Sequence, residues 1–236
     1  MDIGKSFSFV FEDEKWIEKV LIGGLVSLIP IVGIFILMGY GVKLVRNVRN
    51  HDPNPLPEWT DWGELIADGL KLFIITFIWT LPLVVLYMLI VIPMAMTDPE
   101  NPSALASTMA MCFGCFAFLY GIIVWLALPA IVIKFAETGE ISSGFKFGEI
   151  LGFVKKHLGQ IVIVALISLV VYTIAGFGIV LCVIGLLFTN FWAYMVQYHM
   201  IAQIGLEEAP GQSYEVFPEP DPLEELASGE EDEMLE

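Results

Sequence analysis

Residues 158–206 read LGQIVIVALISLVVYTIAGFGIVLCVIGLLFTNFWAYMVQYHMIAQIGL, a run of 49 residues that contains no Asp, Glu, Lys or Arg. One unbroken helix of this length would extend roughly 70 Å, because an α-helix rises about 1.5 Å per residue. The hydrocarbon core of a bilayer is about 30 Å thick and is crossed by about 20 apolar residues. The run is too long for one span and long enough for two, which indicates a polytopic membrane protein.

The long run has a clear place to turn. Ala175-Gly176-Phe177-Gly178 puts two glycines two residues apart, which favours a tight connection between helices. We therefore predict spans over residues 161–175 and 179–201. Two further apolar runs predict spans over residues 70–92 and 105–133.

The first apolar run, residues 20–42, is interrupted at Ile29-Pro30-Ile31-Val32-Gly33. It either crosses the membrane once with a proline kink or enters and returns as a re-entrant hairpin. Residues 2–13 and 147–158 each have an apolar helical stripe, typical of amphipathic helices that lie at the membrane surface. The predicted fold class is an all-α integral membrane protein with four full transmembrane helices plus an N-terminal re-entrant hairpin or fifth span.

Composition agrees with a membrane domain followed by a different segment. Hydrophobic residues make up 57% and charged residues 16% of the chain, and the mean hydropathy is +0.76. Residues 207–236 hold twelve acids and no Lys or Arg, so the first 206 residues account for only −4 of the formal charge of −16. We expect a membrane domain over residues 1–206 and an acidic, disordered tail over residues 207–236. This acidity argues against a nucleic-acid partner.

Basic residues predict the orientation. All eleven fall within residues 5–19, 43–71 and 134–156, and none lies between the second and third predicted spans or in the glycine turn. The positive-inside rule then places segments 43–71 and 134–157 in the cytoplasm, together with the C-terminus. A re-entrant first segment would also keep the residues 5–19 cluster inside, whereas a single crossing would place it outside.

The last predicted span contains the candidate site residues. Asn190, Tyr194 and Gln197 share one helical face, and His199 and Gln203 lie near the cytoplasmic end as interfacial polar residues. One interpretation is hydrogen bonding between helices, which Asn and Gln often provide in membranes. The other is a polar path for a small substrate.

Catalytic and metal chemistry have little support in the sequence. Cys112-Phe113-Gly114-Cys115 lacks the surrounding pattern of a redox motif or a zinc site, and no nucleophile-elbow, metalloprotease or phosphate-loop motif occurs. We expect no enzyme activity, cofactor or metal. The first expectation for function is a membrane scaffold or accessory subunit whose acidic tail contacts a protein partner, and the alternative is a small transporter or channel component. Oligomeric state is not predicted.

Several short motifs resemble a known family. They are Phe11-Glu12-Asp13, Trp16, Gly23-Gly24 with Ile29-Pro30, Leu56-Pro57-Glu58-Trp59, Asp61-Trp62-Gly63, Asp68-Gly69-Leu70-Lys71 and the His199 to Gln203 end of the last span. Over about residues 1–205 the chain resembles the prokaryotic membrane proteins of domain of unknown function 4013. The resemblance implies a multi-pass protein of a prokaryotic cell membrane and implies no activity.

Overall fold

Helices form most of residues 1–98 and 103–206, the part of the chain that the computed structural model describes, with the side chains of residues 181–183 outside that description. The predicted acidic tail, residues 207–236, lies outside the described residues. Short 3-10 turns occur at Ile141–Phe145 and Phe177–Leu181. The α-helices are α1 (Ile3–Glu12), α2 (Trp16–Val26), α3 (Val32–Arg49), α4 (Trp62–Ala95), α5 (Ala104–Thr138), α6 (Phe147–Lys156), α7 (Leu158–Gly176) and α8 (Cys182–Ala202).

The two last helices, α7 and α8, form an antiparallel pair that we call the C-terminal hairpin. Near its turn, the Thr189 hydroxyl donates to the Ala175 carbonyl oxygen at 2.7 Å. At the opposite end, the Gly205 backbone N–H donates to Gln160 Oε1 at 2.9 Å. The α-helix ends at Gly176, within the predicted residues 175–178, and the 3-10 turn Phe177–Leu181 then leads to α8, so the reversal extends beyond the predicted glycines.

Helices α2 and α3 also reverse the chain, and we call this pair the N-terminal hairpin. The start of α2 and the segment after α3 lie together, since the Trp59 indole N–H donates to the Lys19 carbonyl oxygen at 3.0 Å. The Lys19 ammonium in turn donates to the Leu56 carbonyl oxygen at 2.9 Å. Residues 20–42 are therefore two helices that return to the same end of the fold, not one continuous helix.

The turn of the N-terminal hairpin bonds its own backbone. N–H groups of Ser27, Leu28, Ile29 and Gly33 donate to carbonyl oxygens within residues 23–29, at 3.0–3.1 Å. Pro30 has no N–H to satisfy. Ile31 has φ of 65° and ψ of −64°, and the Val32 N–H donates across it to the Pro30 carbonyl oxygen at 2.7 Å, as in a γ-turn. This internal pairing leaves few backbone groups of the turn in need of a partner.

Glycine allows α3 and α4 to cross closely. A Cβ at Gly39 would lie 1.9 Å from the Leu65 carbonyl oxygen, and one at Gly69 would lie 1.7 Å from the Phe35 carbonyl oxygen. Both distances are far inside van der Waals contact with rigid backbone. The residue pairs 39 with 65 and 35 with 69 also show that α3 and α4 are antiparallel.

The long helices α4 and α5 pack side by side, and the Tyr120 hydroxyl donates to the Trp79 carbonyl oxygen at 2.9 Å.

The charged ends of α3, α4 and α5 meet. Arg46 Nη2 lies 3.1 Å from Asp68 Oδ2, and Arg49 Nη2 lies 2.7 Å from Glu137 Oε1. Charge is thus concentrated at one end of the bundle, and we call this the charged end.

Three described segments are long and apolar enough to cross a membrane, namely Trp62–Ala95, Ala104–Thr138 and Leu158–Val180. The spans predicted over residues 70–92, 105–133 and 161–175 fall within them. The predicted total, four full spans plus a hairpin or fifth span, is not confirmed. The all-helical prediction is confirmed for the described residues, among which no strand occurs.

Candidate functional site

A cavity of about 480 Å³ opens between the helices, and we call it the central cavity. Its walls come from α3, α4, α5, α7 and α8, and most of the lining side chains are aliphatic or aromatic. The polar side chains in its lining are Thr76, Thr80, Ser168, Tyr172, Tyr194, Gln197 and Tyr198. Among the described residues that line it there is no Asp, Glu, Lys, Arg, His or Cys.

The structure brings together two of the three residues predicted for a polar path. Tyr194 and Gln197 both line the central cavity. The Tyr194 hydroxyl also donates to the Leu37 carbonyl oxygen at 2.7 Å, which ties α8 to α3. Asn190 is exposed outside the lining, and its amide donates to the Leu186 carbonyl oxygen one turn back at 2.8 Å.

Sequence reasoning missed the α7 side of the cavity. The Tyr172 hydroxyl donates to Gln197 Oε1 at 2.8 Å, joining the two arms of the C-terminal hairpin. Ser168, one turn before Tyr172, is 6% exposed, and its hydroxyl oxygen has no hydrogen-bond partner. The spacing of Ser168 and Tyr172 within the charge-free run was the available signal, because residues four apart share a helical face.

Ser168 is unusual because a helical serine can bond the carbonyl oxygen one turn back. Thr76 does this on α4, where its hydroxyl donates to the Leu72 carbonyl oxygen at 3.0 Å. Thr80 bonds the Thr76 carbonyl oxygen in the same way. A buried polar group without a partner costs about 1–3 kcal/mol. The Ser168 hydroxyl therefore has an unused donor and acceptor at the cavity wall.

From its two exposed lining residues we infer that the central cavity reaches the surface between α5 and α7. Trp125 on α5 is 54% exposed, and Tyr172 on α7 is 37% exposed, although both line the cavity. Both residues belong to segments apolar enough to cross a membrane. The opening thus lies on an apolar side of the bundle and not at its charged end.

His199 and Gln203, predicted as interfacial polar residues, lie in a separate buried cluster against α1. Ser6 Oγ lies 2.9 Å from His199 Nδ1, and the Gln203 amide donates to Ser6 Oγ at 2.9 Å. The His199 ring stacks on Phe9 with centroids 4.2 Å apart. This cluster holds α1 on α8 and does not line the central cavity.

The exposed face of α1 contains an ion pair between Lys5 and Glu12. Hydrogen bonds from the Lys5 ammonium and the Ser8 hydroxyl lower the pKa of Glu12 below its ordinary value. The carboxylate is therefore ionised at neutral pH.

Residues that carry the family resemblance meet around Lys19. Lys19 Nζ lies 2.7 Å from Asp13 Oδ2 and 2.9 Å from Glu58 Oε1. Trp59, whose indole bonds the Lys19 carbonyl oxygen, stacks on the Tyr40 ring with centroids 4.3 Å apart. These contacts join the α1–α2 connection to the segment after α3. Their role is to close the open end of the N-terminal hairpin.

No group of three or more His, Cys, Asp or Glu side chains that could hold a metal ion occurs among residues 1–98 and 103–206. Cys112 and Cys115 are exposed free thiols on α5. The central cavity, lined by hydroxyls, one amide and apolar side chains, is the arrangement best suited to hold a ligand.

Fold and cavity together define an all-helical protein with membrane-compatible helices around an internal site. Its sequence places it in a known family, since residues 22–184 match the model described as "Protein of unknown function (DUF4013)". The match covers more than half of the chain, so the chain belongs to that family. No curated protein and no solved structure matches it.

Proposed function

We propose that this chain is a multi-pass protein of a prokaryotic cell membrane that binds a small molecule in the central cavity, as the binding part of a small transporter or channel component. The observation that carries the proposal is the buried, unpartnered Ser168 hydroxyl in the wall of a cavity of about 480 Å³. This volume falls within the range of about 300–1,000 Å³ that is typical of small-molecule sites.

The proposed topology has α4, α5, α7 and α8 crossing the bilayer and the N-terminal hairpin entering and returning. The 11 residues of α2 extend only about 16 Å, too short for a full crossing. Support comes from the self-bonded turn at residues 27–33, because lipid offers no partner for free backbone groups. The charged end then faces the cytoplasm, as the positive-inside rule favours, and so does the C-terminus.

A binding role suits the lining better than a catalytic one. General acid–base catalysis at neutral pH most often uses His, carboxylate, Lys, Tyr or Cys side chains. Of these the described lining contains only tyrosines, at positions 172, 194 and 198, and the Tyr172 and Tyr194 hydroxyls already donate to groups of the protein. Hydroxyls and an amide can instead orient a ligand without reacting with it. We therefore propose a non-enzymatic function.

The test is to fill the cavity. Ala165 lines the cavity on α7, and Ala165→Trp would occupy much of its volume, with Ala165→Leu as a milder variant. The matched control is Leu169→Trp, one turn further along α7 on its exposed face. Native mass spectrometry of protein extracted from its membrane should detect a bound small molecule in the wild type and Leu169→Trp but not in Ala165→Trp. A wild type without any bound molecule, or one equally abundant in Ala165→Trp, contradicts the proposal.

A second candidate function is the scaffold or accessory subunit, and the specific observation for it is the tail composition of twelve acids without a base over residues 207–236. Such a segment would attract a basic protein partner. Cross-linking in native membranes should recover partners that are lost when residues 207–236 are deleted. A variant with Glu230, Glu231 and Glu233 changed to Gln should weaken the same partners. An unchanged set of partners after the deletion would exclude the tail as a docking segment.

A further inference from the structure

We propose that the ligand of the central cavity is an uncharged amphiphile with a hydroxyl or carbonyl group, and that it enters from the lipid between α5 and α7. This inference rests on the proposed binding function and specifies the chemistry of its ligand. It is drawn from four properties of the cavity: its charge, the order of its lining, its unused hydrogen-bonding groups and its opening.

The absence of charged side chains disfavours a charged ligand on energetic grounds. A buried ion requires an opposite charge or a full set of hydrogen bonds, and the described lining offers neither Lys, Arg nor a carboxylate. An ion of either sign would lose its hydration without a compensating partner. A neutral ligand meets no such cost.

The lining changes from apolar to polar with distance from the charged end. Leu72 and Val132 lie within two residues of Lys71 and Lys134, respectively, and they form an apolar floor. Thr80 and Trp125 are nine residues from the same lysines, about 14 Å along their helices. A bound molecule therefore meets aliphatic side chains at the charged end and hydroxyls from Thr76 and Tyr198 inward, starting about one helical turn from that end.

The polar level lies near the middle of the proposed span. Ser168 is ten residues beyond the start of α7, about 15 Å along a helix that extends about 28 Å. Tyr172, one turn further along α7, donates its hydroxyl to Gln197 on α8. Lipid offers no hydrogen bonds at this depth, so these groups give a ligand hydroxyl a partner that the surrounding bilayer cannot provide.

Unused hydrogen-bonding capacity decides which ligand groups fit. The Ser168 hydroxyl has both its donor and its acceptor free. The Gln197 side-chain oxygen accepts a hydrogen bond from the Tyr172 hydroxyl. The two N–H donors of the Gln197 amide are left for a ligand. A ligand hydroxyl or carbonyl can accept from the Gln197 amide, and one that reaches Ser168 can pair with its unpartnered hydroxyl.

The opening favours entry from lipid. Its two exposed edges, Trp125 and Tyr172, lie on apolar helices away from the ion pairs of the charged end. A molecule dissolved in the bilayer reaches this opening without crossing water. The occupant is thus a membrane-soluble amphiphile and not a water-soluble metabolite.

The test uses two photoreactive probes that differ only in their head group. Hexadecanol and palmitate, each with a diazirine on the chain, are incorporated separately with the full-length protein in vesicles, under alkaline conditions that keep the palmitate ionised. Adducts are mapped by mass spectrometry. For each probe we define a labelling ratio. It is the labelling of the peptide that contains Ala165 and Tyr172 divided by the labelling of exposed α5 around Phe118. The division corrects for differences in how much of each probe enters the membrane. We expect a higher ratio for hexadecanol than for palmitate.

Two substitutions with matched controls test the contacts. Ser168→Ala and Gln197→Leu should each lower the hexadecanol ratio by about two- to tenfold, the range expected for loss of one neutral hydrogen bond. Thr173→Ala on α7 and Asn190→Leu on α8 remove comparable exposed groups and should leave the ratio unchanged. Ser168→Ala removes an unpartnered group and should fold normally, so its result can be interpreted.

Equal ratios for the two probes, or a hexadecanol ratio that neither Ser168→Ala nor Gln197→Leu reduces, overturn the inference. Failure of the proposed function gives a different pattern. If binding exists but the ligand chemistry is wrong, a co-purified molecule is still displaced by Ala165→Trp. If the cavity binds nothing, neither the molecule nor any cavity-specific labelling is found.

Discussion

The two helical hairpins of this protein are assembled by different means. The N-terminal hairpin fits its neighbours by shape, with Gly39 against the backbone of α4 and Gly23 against the Phe191 ring. The C-terminal hairpin is joined by side-chain hydrogen bonds, including Tyr172 to Gln197. Close packing leaves no room for a ligand, whereas an arm held by a few polar contacts can border a cavity. The comparison indicates a structural role for the first hairpin and supports the proposed binding role of the second.

The largest effect should come from removing the close fit of the N-terminal hairpin. In Gly39→Val the new Cβ would lie 1.9 Å from the Leu65 carbonyl oxygen, and rigid backbone cannot yield, so we expect a loss of more than about 3 kcal/mol of stability. Yield of monodisperse protein and its Tm measure the loss. Gly63→Val, at a site with no atom within 4 Å, is the control. A Tm for Gly39→Val close to that of Gly63→Val would show that shape does not hold this hairpin.

The next effect concerns the ion pairs that close the N-terminal hairpin. Lys19→Met leaves Asp13 largely buried without its cation, and breaking such a pair costs about 3 kcal/mol. Thermal unfolding should show the loss, whereas Lys15→Met, at an exposed position four residues earlier, should change little. Adding Asp13→Leu to Lys19→Met should recover part of the stability, because the orphaned carboxylate is gone. A double variant no more stable than the single one contradicts this account.

A smaller effect is expected where α1 meets the C-terminal hairpin. Ser6→Ala leaves His199 and Gln203 with one polar partner fewer in a buried cluster, which we expect to cost about 1–2 kcal/mol. Limited proteolysis should then cut near α1 more readily. Ser8→Ala removes an exposed hydroxyl from the same helix and serves as the control. Equal cleavage of both variants would mean that the His199 cluster does not hold α1 in place.

The sequence predicted the C-terminal hairpin well, because absence of charge sets the helix lengths and the glycines at 176 and 178 mark the turn. It predicted the cavity only in part. Tyr194 and Gln197 were found because polar residues stand out in an apolar helix. The helical face that they share does not show which helix packs against it. Ser168 was missed because the signal on α7, Ser168 and Tyr172 four residues apart, is weak in a helix whose apolar residues have no periodicity to show which side packs inward.

The N-terminal segment stayed ambiguous for a different reason. Residues 20–42 are long enough for one kinked span, and local sequence does not distinguish a kink at Pro30 from a reversal. The deciding contacts are distant in sequence, as between Lys19 and Trp59. Some of these residues belong to the motifs that resemble the family, but a motif in one sequence does not show which other motif lies next to it in the fold.

The smallest expected change is a gain in stability, not a loss, and it tests whether the C-terminal hairpin binds a ligand. Ser168→Ala removes a buried hydroxyl that has no partner, so in ligand-free protein we expect stability to stay equal or to rise by about 1 kcal/mol. Thr173→Ala, whose hydroxyl bonds the Leu169 carbonyl oxygen on the exposed face, should show no such gain. With hexadecanol added, the wild type should gain more stability than Ser168→Ala, because only the wild type offers this hydroxyl to the ligand. The difference in Tm should therefore narrow or reverse as the alcohol is titrated. If Ser168→Ala is destabilising without ligand and the difference is insensitive to hexadecanol, the hydroxyl is a structural group, and the cavity loses its best evidence for a ligand.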